Sequence, residues 1–128
     1  MRKLILLSAF ALVVNLLSAQ DIAVDVGNAI KSGNAKQLAS YFHPTVDLTV
    51  KQNEATYSKS QAEQVLQSFF SSNKPTSYKS NHTGSSSDGS RYVIGKMETA
   101  GGSFRVYILF KNISGKELVQ ILRFEVSE

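Results

Sequence analysis

The sequence predicts an α+β fold: a cone-shaped, strongly curved antiparallel sheet wrapped around an amphipathic helix, with two N-terminal helices. Three observations carry this. Behind Ser60, the residues Ala62, Val65, Leu66, Phe69 and Phe70 recur at helical spacing. Between Thr45 and Lys51, apolar and polar residues alternate with the period of a half-buried strand. From Thr76 onward no helical period survives, and the turn signals Asp88-Gly89, Gly101-Gly102 and Ser114-Gly115 divide the remainder into four strands, a meander of hairpins.

Taken in order, Asp21 to Ser32 places Ile22, Val26, Ala29 and Ile30 on one helical face, and Ser32-Gly33 stops it. Asn34 caps a second, shorter helix, with Gln37 as its capping-box partner and Leu38, Tyr41 and Phe42 on one face. His43-Pro44 ends it, because the residue before proline is pushed out of the helical region. The strand Thr45 to Lys51 follows, with Val46, Leu48 and Val50 on the buried side, then a turn at Gln52-Asn53-Glu54 and a short return strand, Ala55 to Ser58. Ser60 and Glu63 form a capping box for the main helix, which stops near Asn73 because Pro75 cannot continue it. Thr76 to Thr83 is polar and reads as an edge strand, where Lys79 discourages pairing with another chain. In Ser103 to Ile113 the residues Phe104, Val106, Ile108 and Phe110 share the core face. In Lys116 to Val126, strict alternation sets Leu118, Leu122, Phe124 and Val126 inward, and leaves Val119 and Ile121 outside.

Ahead of these elements, Arg2 and Lys3 precede an apolar run from Leu4 to Leu17, closed by Ser18 and Ala19. The run is shorter than the roughly 20 residues a spanning helix needs, and small residues follow it, so residues 1–19 read as a secretory signal peptide and 20–128 as a single domain. The expectation is an exported protein, periplasmic or extracellular, with no stable membrane insertion after cleavage. The formal charge of +4 is largely the leader's, since removing Arg2 and Lys3 leaves twelve Lys and Arg against ten Asp and Glu. Those cations are dispersed among apolar residues, which argues against nucleic acid as a partner. With no cysteine, the fold has no disulfide to lean on.

The element order, and the stretch from Ser32-Gly33-Asn34 through Leu38, Tyr41 and Phe42 to Val46, Leu48 and Val50, resembles the nuclear-transport-factor-2-like superfamily, which includes ketosteroid isomerases, SnoaL-like cyclases and scytalone dehydratases. More narrowly, Gly33-Asn34-Ala35-Lys36, Tyr57 to Glu63, Phe69-Phe70, His82 and Tyr92-Val93-Ile94-Gly95 resemble an exported Bacteroidota family of unknown function. The resemblance implies a cone with a cystatin-like fold and one open end. It carries over no catalytic residue, because Val50 or its neighbour stands where the isomerases' catalytic aspartate lies. Asp47 alternates to the other side of that strand. Fold alone assigns no activity.

Among site candidates, Tyr41, Phe42, Tyr57, Phe69, Phe70, Tyr92, Phe104 and Phe124 are expected to line the open end of the cone as a pocket for a small apolar molecule. The leading expectation is therefore a non-enzymatic domain binding such a molecule or a protein partner. One alternative is a cofactor-free lyase or isomerase using His43, His82 or Asp47 as acid or base, with His82 sharing a strand face with Tyr78 and Ser80. Another is an assembly protein that forms a homodimer through the outer sheet face, using Val119 and Ile121 with Tyr107 and Leu109. Two histidines and no cysteine supply no metal-binding pattern, no serine sits in a nucleophile elbow, and no glycine pair has the strand-to-helix setting of a phosphate loop, so no metal and no cofactor are expected.

Overall fold

A computed structural model describes residues 21–127, so the expected signal peptide lies outside the described residues. Two helices open the domain, α1 (Ile22–Ser32) and α2 (Ala35–Ala39), followed by the hairpin β1 (Phe42–Val50) and β2 (Asn53–Ser58). Next come α3 (Lys59–Ser72) and the meander β3 (Pro75–Ser85), β4 (Arg91–Thr99), β5 (Gly102–Ile113) and β6 (Lys116–Val126). The strands form one curved, unclosed sheet in the order β2-β1-β6-β5-β4-β3. The expected α+β cone is therefore the architecture, with one difference: β1 pairs with β6 in parallel, and the other four joints are antiparallel.

Local chemistry explains where each helix begins and ends. The Asp21 carboxylate accepts from the Ala23 backbone N–H to cap α1, and Gly33 ends the helix in the left-handed region at φ 65°. Asn34 caps α2 by accepting from the Gln37 N–H, as the sequence predicts. α2 is shorter than expected, however. Its end is closed at Ser40, and Phe42, His43 and Pro44 already belong to β1. Proline is tolerated there because the β1–β2 ladder begins only at Thr45 and the β1–β6 register shifts between Phe42 and Asp47, so no ladder bond needs its missing N–H. The cap of α3 also differs. Since β2 runs to Ser58, that residue and Gln61 form the capping box, in place of Ser60 and Glu63.

The core lies between the concave face of the sheet and the three helices. From α3, Ala62, Leu66, Phe69 and Phe70 are buried, and the Phe69 ring centroid lies 5.2 Å from that of Phe104 and 5.0 Å from that of Phe124. Phe70 meets Phe124 edge-on at 5.8 Å. Such ring contacts add to the burial energy of each aromatic. From α1, Val26, Ala29 and Ile30 are fully buried.

A bulge corrects the expected alternation of β6. Leu109 pairs with Ile121 but Phe110 pairs with Val119, so Gln120 is an extra residue that reverses the parity. Val119 is therefore fully buried in the core rather than on the outer face, and Leu118, expected inward, pairs with Lys111 on the other face; Val126 keeps its inward parity but is 60% exposed at the end of the strand. Truncations test this inversion directly. By urea unfolding, Phe124→Ala should cost about 3–5 kcal/mol and Val119→Ala roughly 2 kcal/mol, while Val126→Ala should stay within about 0.5 kcal/mol.

Candidate functional site

A cleft of about 760 Å³ runs along one side of α1. Ala23, Val24, Gly27, Asn28 and Lys31 recur along that helix so as to form one wall. The floor is the concave face of β3 and β4, from which Tyr78, Ser80, Thr83 and Ser85 point inward beside Val93 and Arg91. Its volume is that of a small-molecule site. The lining mixes aliphatic surface with hydroxyl and amide groups.

Tyr78 holds helix and sheet at the spacing that leaves this cleft. Its ring crosses between two glycines: a Cβ at Gly27 would meet the ring at 3.0 Å, and one at Gly95 would meet the phenol oxygen at 2.6 Å and the Lys79 carbonyl at 2.7 Å. At Gly95 a side chain would force ring or backbone to move, and at Gly27 it would press tightly on the ring, so glycine at both positions gives the ring its room between α1 and β4. Burial pushes the Tyr78 phenol up to about 12, since the phenolate is poorly solvated there.

One end of the cleft is closed by an ion cluster. Arg91 grips Glu117 with both Nε and Nη2, at 2.7 and 3.0 Å, and Nη2 also donates to Asp21 Oδ1 at 2.6 Å. Its guanidinium lies 5.3 Å from the centroid of the Phe110 ring. The cluster ties the start of α1 to β4 and β6. Arg91's hydrogen bond, then the Ala23 N–H, hold the Asp21 carboxyl below its ordinary value, and the two carboxylates keep Arg91 protonated.

A second, shallower groove of about 480 Å³ lies between α3 and the β1–β2 hairpin, with Leu48, Val50, Tyr57, Val65 and Phe69 on its apolar side. Of the eight aromatic residues expected to share a pocket, only Tyr57 and Phe69 meet there. Phe42 and Phe124 are sealed in the core, Phe70 and Phe104 pack beside them at 5% exposure, and Tyr41 lies partly buried against the same cluster. Tyr92 stands on the outer face, its ring stacked on Tyr107 with centroids 6.1 Å apart.

The three acid–base candidates do not converge. His43 and Asp47 are on β1 and His82 is on β3, with β6, β5 and β4 between those strands. His43 Nδ1 pairs with the Thr45 carbonyl at 3.2 Å, and Asp47 accepts from the Thr56 hydroxyl at 2.6 Å across the hairpin. Nor does His82 share a face with Tyr78 and Ser80. The register shifts between Ser80 and His82, so an extra residue turns His82 outward, where its Nε2 lies 3.3 Å from the Tyr92 hydroxyl. Among the described residues no three His, Cys, Asp or Glu side chains gather as a metal site, and no helix is long and apolar enough to cross a membrane. Tyr78 and Ser80, expected to share a face, do line the cleft; sequence reasoning missed Arg91 and the spacer role of Tyr78, whose partners are set by the fold. Gly95 inside a strand was the one signal available, since such a glycine marks a close approach.

Residues 23–125 match the family described as "Domain of unknown function (DUF4783)". A DUF4783 protein from Bacteroides fragilis is 34% identical, with a TM-score of 0.77, over 84% of this chain and 100% of its own. One from Bacteroides uniformis is 32% identical, with a TM-score of 0.79, over 84% and 99%. At the level of fold alone, a Nostoc punctiforme protein of unknown function with a cystatin-like fold has a TM-score of 0.63 at 13% identity, over 83% and 86%. The chain thus has the cystatin-like, nuclear-transport-factor-2-like fold that its sequence resembles. No curated protein matches.

Two of the shifted groups bordering the cleft, Asp21 and Tyr78, give opposite pH dependences. Asp21 is lowered in the folded state, so its link to Arg91 stabilises the protein above the ordinary carboxylate value of 3.8 and is lost as pH falls through the folded value. Asp21→Asn keeps a good helix cap and should flatten the acid limb of the stability profile. Tyr78 is raised, so stability holds below pH 10.0 and falls as pH rises towards about 12; Tyr78→Phe should remove that alkaline loss. Denaturant midpoints measured across pH check both.

Proposed function

The chain belongs to the DUF4783 family, and from that premise we propose that it is an exported, non-catalytic binding domain whose site is the cleft between α1, β3 and β4. The observation that carries this reading is the cleft itself, a concavity of about 760 Å³ kept open by the Tyr78 ring between two glycines. Its aliphatic wall, with Val24 half exposed, suits the apolar part of a small molecule. The hydroxyls of Ser80, Thr83 and Ser85 and the amide of Asn28 supply orienting hydrogen bonds. Export rests on the basic pair and apolar run that open the sequence.

Native mass spectrometry of the protein after incubation with a metabolite extract tests this function. The expected result is a bound small molecule that Ser80→Trp, which fills the cleft, excludes; retention of the same molecule by that variant would place binding elsewhere. Saturation at a hundred times Kd should also stabilise the parent by about 2.7 kcal/mol.

A second reading, protein contact through the outer sheet face, is favoured by the half-buried strip of Ile94, Tyr107, Leu109 and Ile121. Sedimentation of parent and Ile121→Lys distinguishes it. Self-association through this face predicts a smaller species for the variant, and identical monomers refute it.

A further inference from the structure

Resting on the reading of the α1–β3 cleft as a binding site, we propose that Arg91 is its anchor for a small carboxylic acid, whose carboxylate takes the place that Asp21 occupies in the free protein. The argument starts from how the guanidinium is held. Glu117 grips it side-on through Nε and Nη2, and the Phe110 ring lies beneath it, so its orientation is fixed without help from the cleft. The end of the fork is what the cleft sees. There Nη2 donates its remaining hydrogen to Asp21, and among the described residues Nη1 has no acceptor. A fixed Arg presenting Nη1 and Nη2 matches the two oxygens of a planar carboxylate.

Asp21 satisfies only half of that fork. It approaches with one oxygen, Oδ1, and the same oxygen accepts the Ala23 N–H at 2.9 Å that caps α1. When a ligand carboxylate binds Nη1 and Nη2, Asp21 keeps its cap and its half-exposed side chain turns to water. Exchange therefore strands no buried charge. The rest of the ligand lies along α1, where Ala23 and Val24 offer apolar surface above the buried Gly27 and Val93, beside a helix of 11 residues, roughly 16 Å long. An acid with a short apolar body fits this layout.

The test is an NMR titration of the protein with hexanoate and, separately, with hexanol, which has the same carbon chain and no charge. Hexanoate should shift the backbone amides of Val24, Gly27 and Val93 together with the Arg91 Nε–H, at concentrations about tenfold lower than hexanol requires for the three amides. Asp21→Asn, which removes the competing carboxylate and keeps a capping side chain, should tighten hexanoate by roughly tenfold and leave hexanol unchanged. Arg91→Lys should reduce hexanoate to the level of hexanol. Equal binding of the two probes, or weaker hexanoate binding to Asp21→Asn, overturns the carboxylate assignment while the cleft stands. No shift at Val24, Gly27 or Val93 with either probe overturns the cleft and the assignment together. Should Arg91→Lys fold poorly, the Asp21→Asn titration decides alone.

Discussion

The seating of two adjacent rings, Phe69 and Phe70, against Phe104 and Phe124 governs the rest of this structure. Neighbouring residues on a helix point about 100° apart, so both rings reach the core only if the sheet curls around α3 instead of lying flat beneath it. The tightly filled centre follows. Interiors packed at crystal-like density leave no room for a ligand among such rings. Free space is displaced to the margins, along α1 on one side and beside the β1–β2 hairpin on the other.

Along α1 the margin is shaped by absent side chains as much as by present ones. Tyr78 is too large to lie between a helix and a strand at ordinary spacing, and Gly27 and Gly95 supply the missing width. Its ring then acts as a fixed spacer, with Val93 and Met97 buried on the neighbouring strand. A mirrored arrangement occurs on the outer face, where the Tyr92 ring covers Gly84 so closely that a Cβ there would lie 2.5 Å away. Tyrosine over glycine thus joins β3 to β4 on both faces. Edge strands gain most from such cover, because one side of their backbone ladder is open.

What was legible in the sequence is what depends on local periodicity. The stripe Ala62, Leu66, Phe69, Phe70 and the cap at Asn34 rest on residues within a turn or two of each other, and they stand as expected. The errors in which face a strand residue takes share one cause. Alternation assumes an uninterrupted ladder, and a single inserted residue in β3 and in β6 reverses the face of everything beyond it, so His82 left the cleft and Val119 entered the core. The displaced cap of α3 is milder. Ser58 and Ser60 are both competent caps, and the choice fell to how far β2 extends before the chain must turn. The ion cluster had no local signature, because Asp21 and Arg91 are 70 residues apart in the chain.

That separation makes the cluster more than a surface salt bridge. An exposed pair contributes little because two long side chains must be ordered for a screened attraction. Arg91 is different: Glu117 and the Phe110 ring order it from β6 and β5, and the Asp21 carboxylate is already ordered by the Ala23 N–H it caps. The added link therefore costs little entropy on either side, and it joins the start of α1 to β4, one of the two strands that form the floor of the cleft. Fold and site meet in one guanidinium. Whatever enters the cleft near Arg91 must compete with the contact that anchors α1, so occupancy and the position of that helix end are coupled by the same hydrogen bonds.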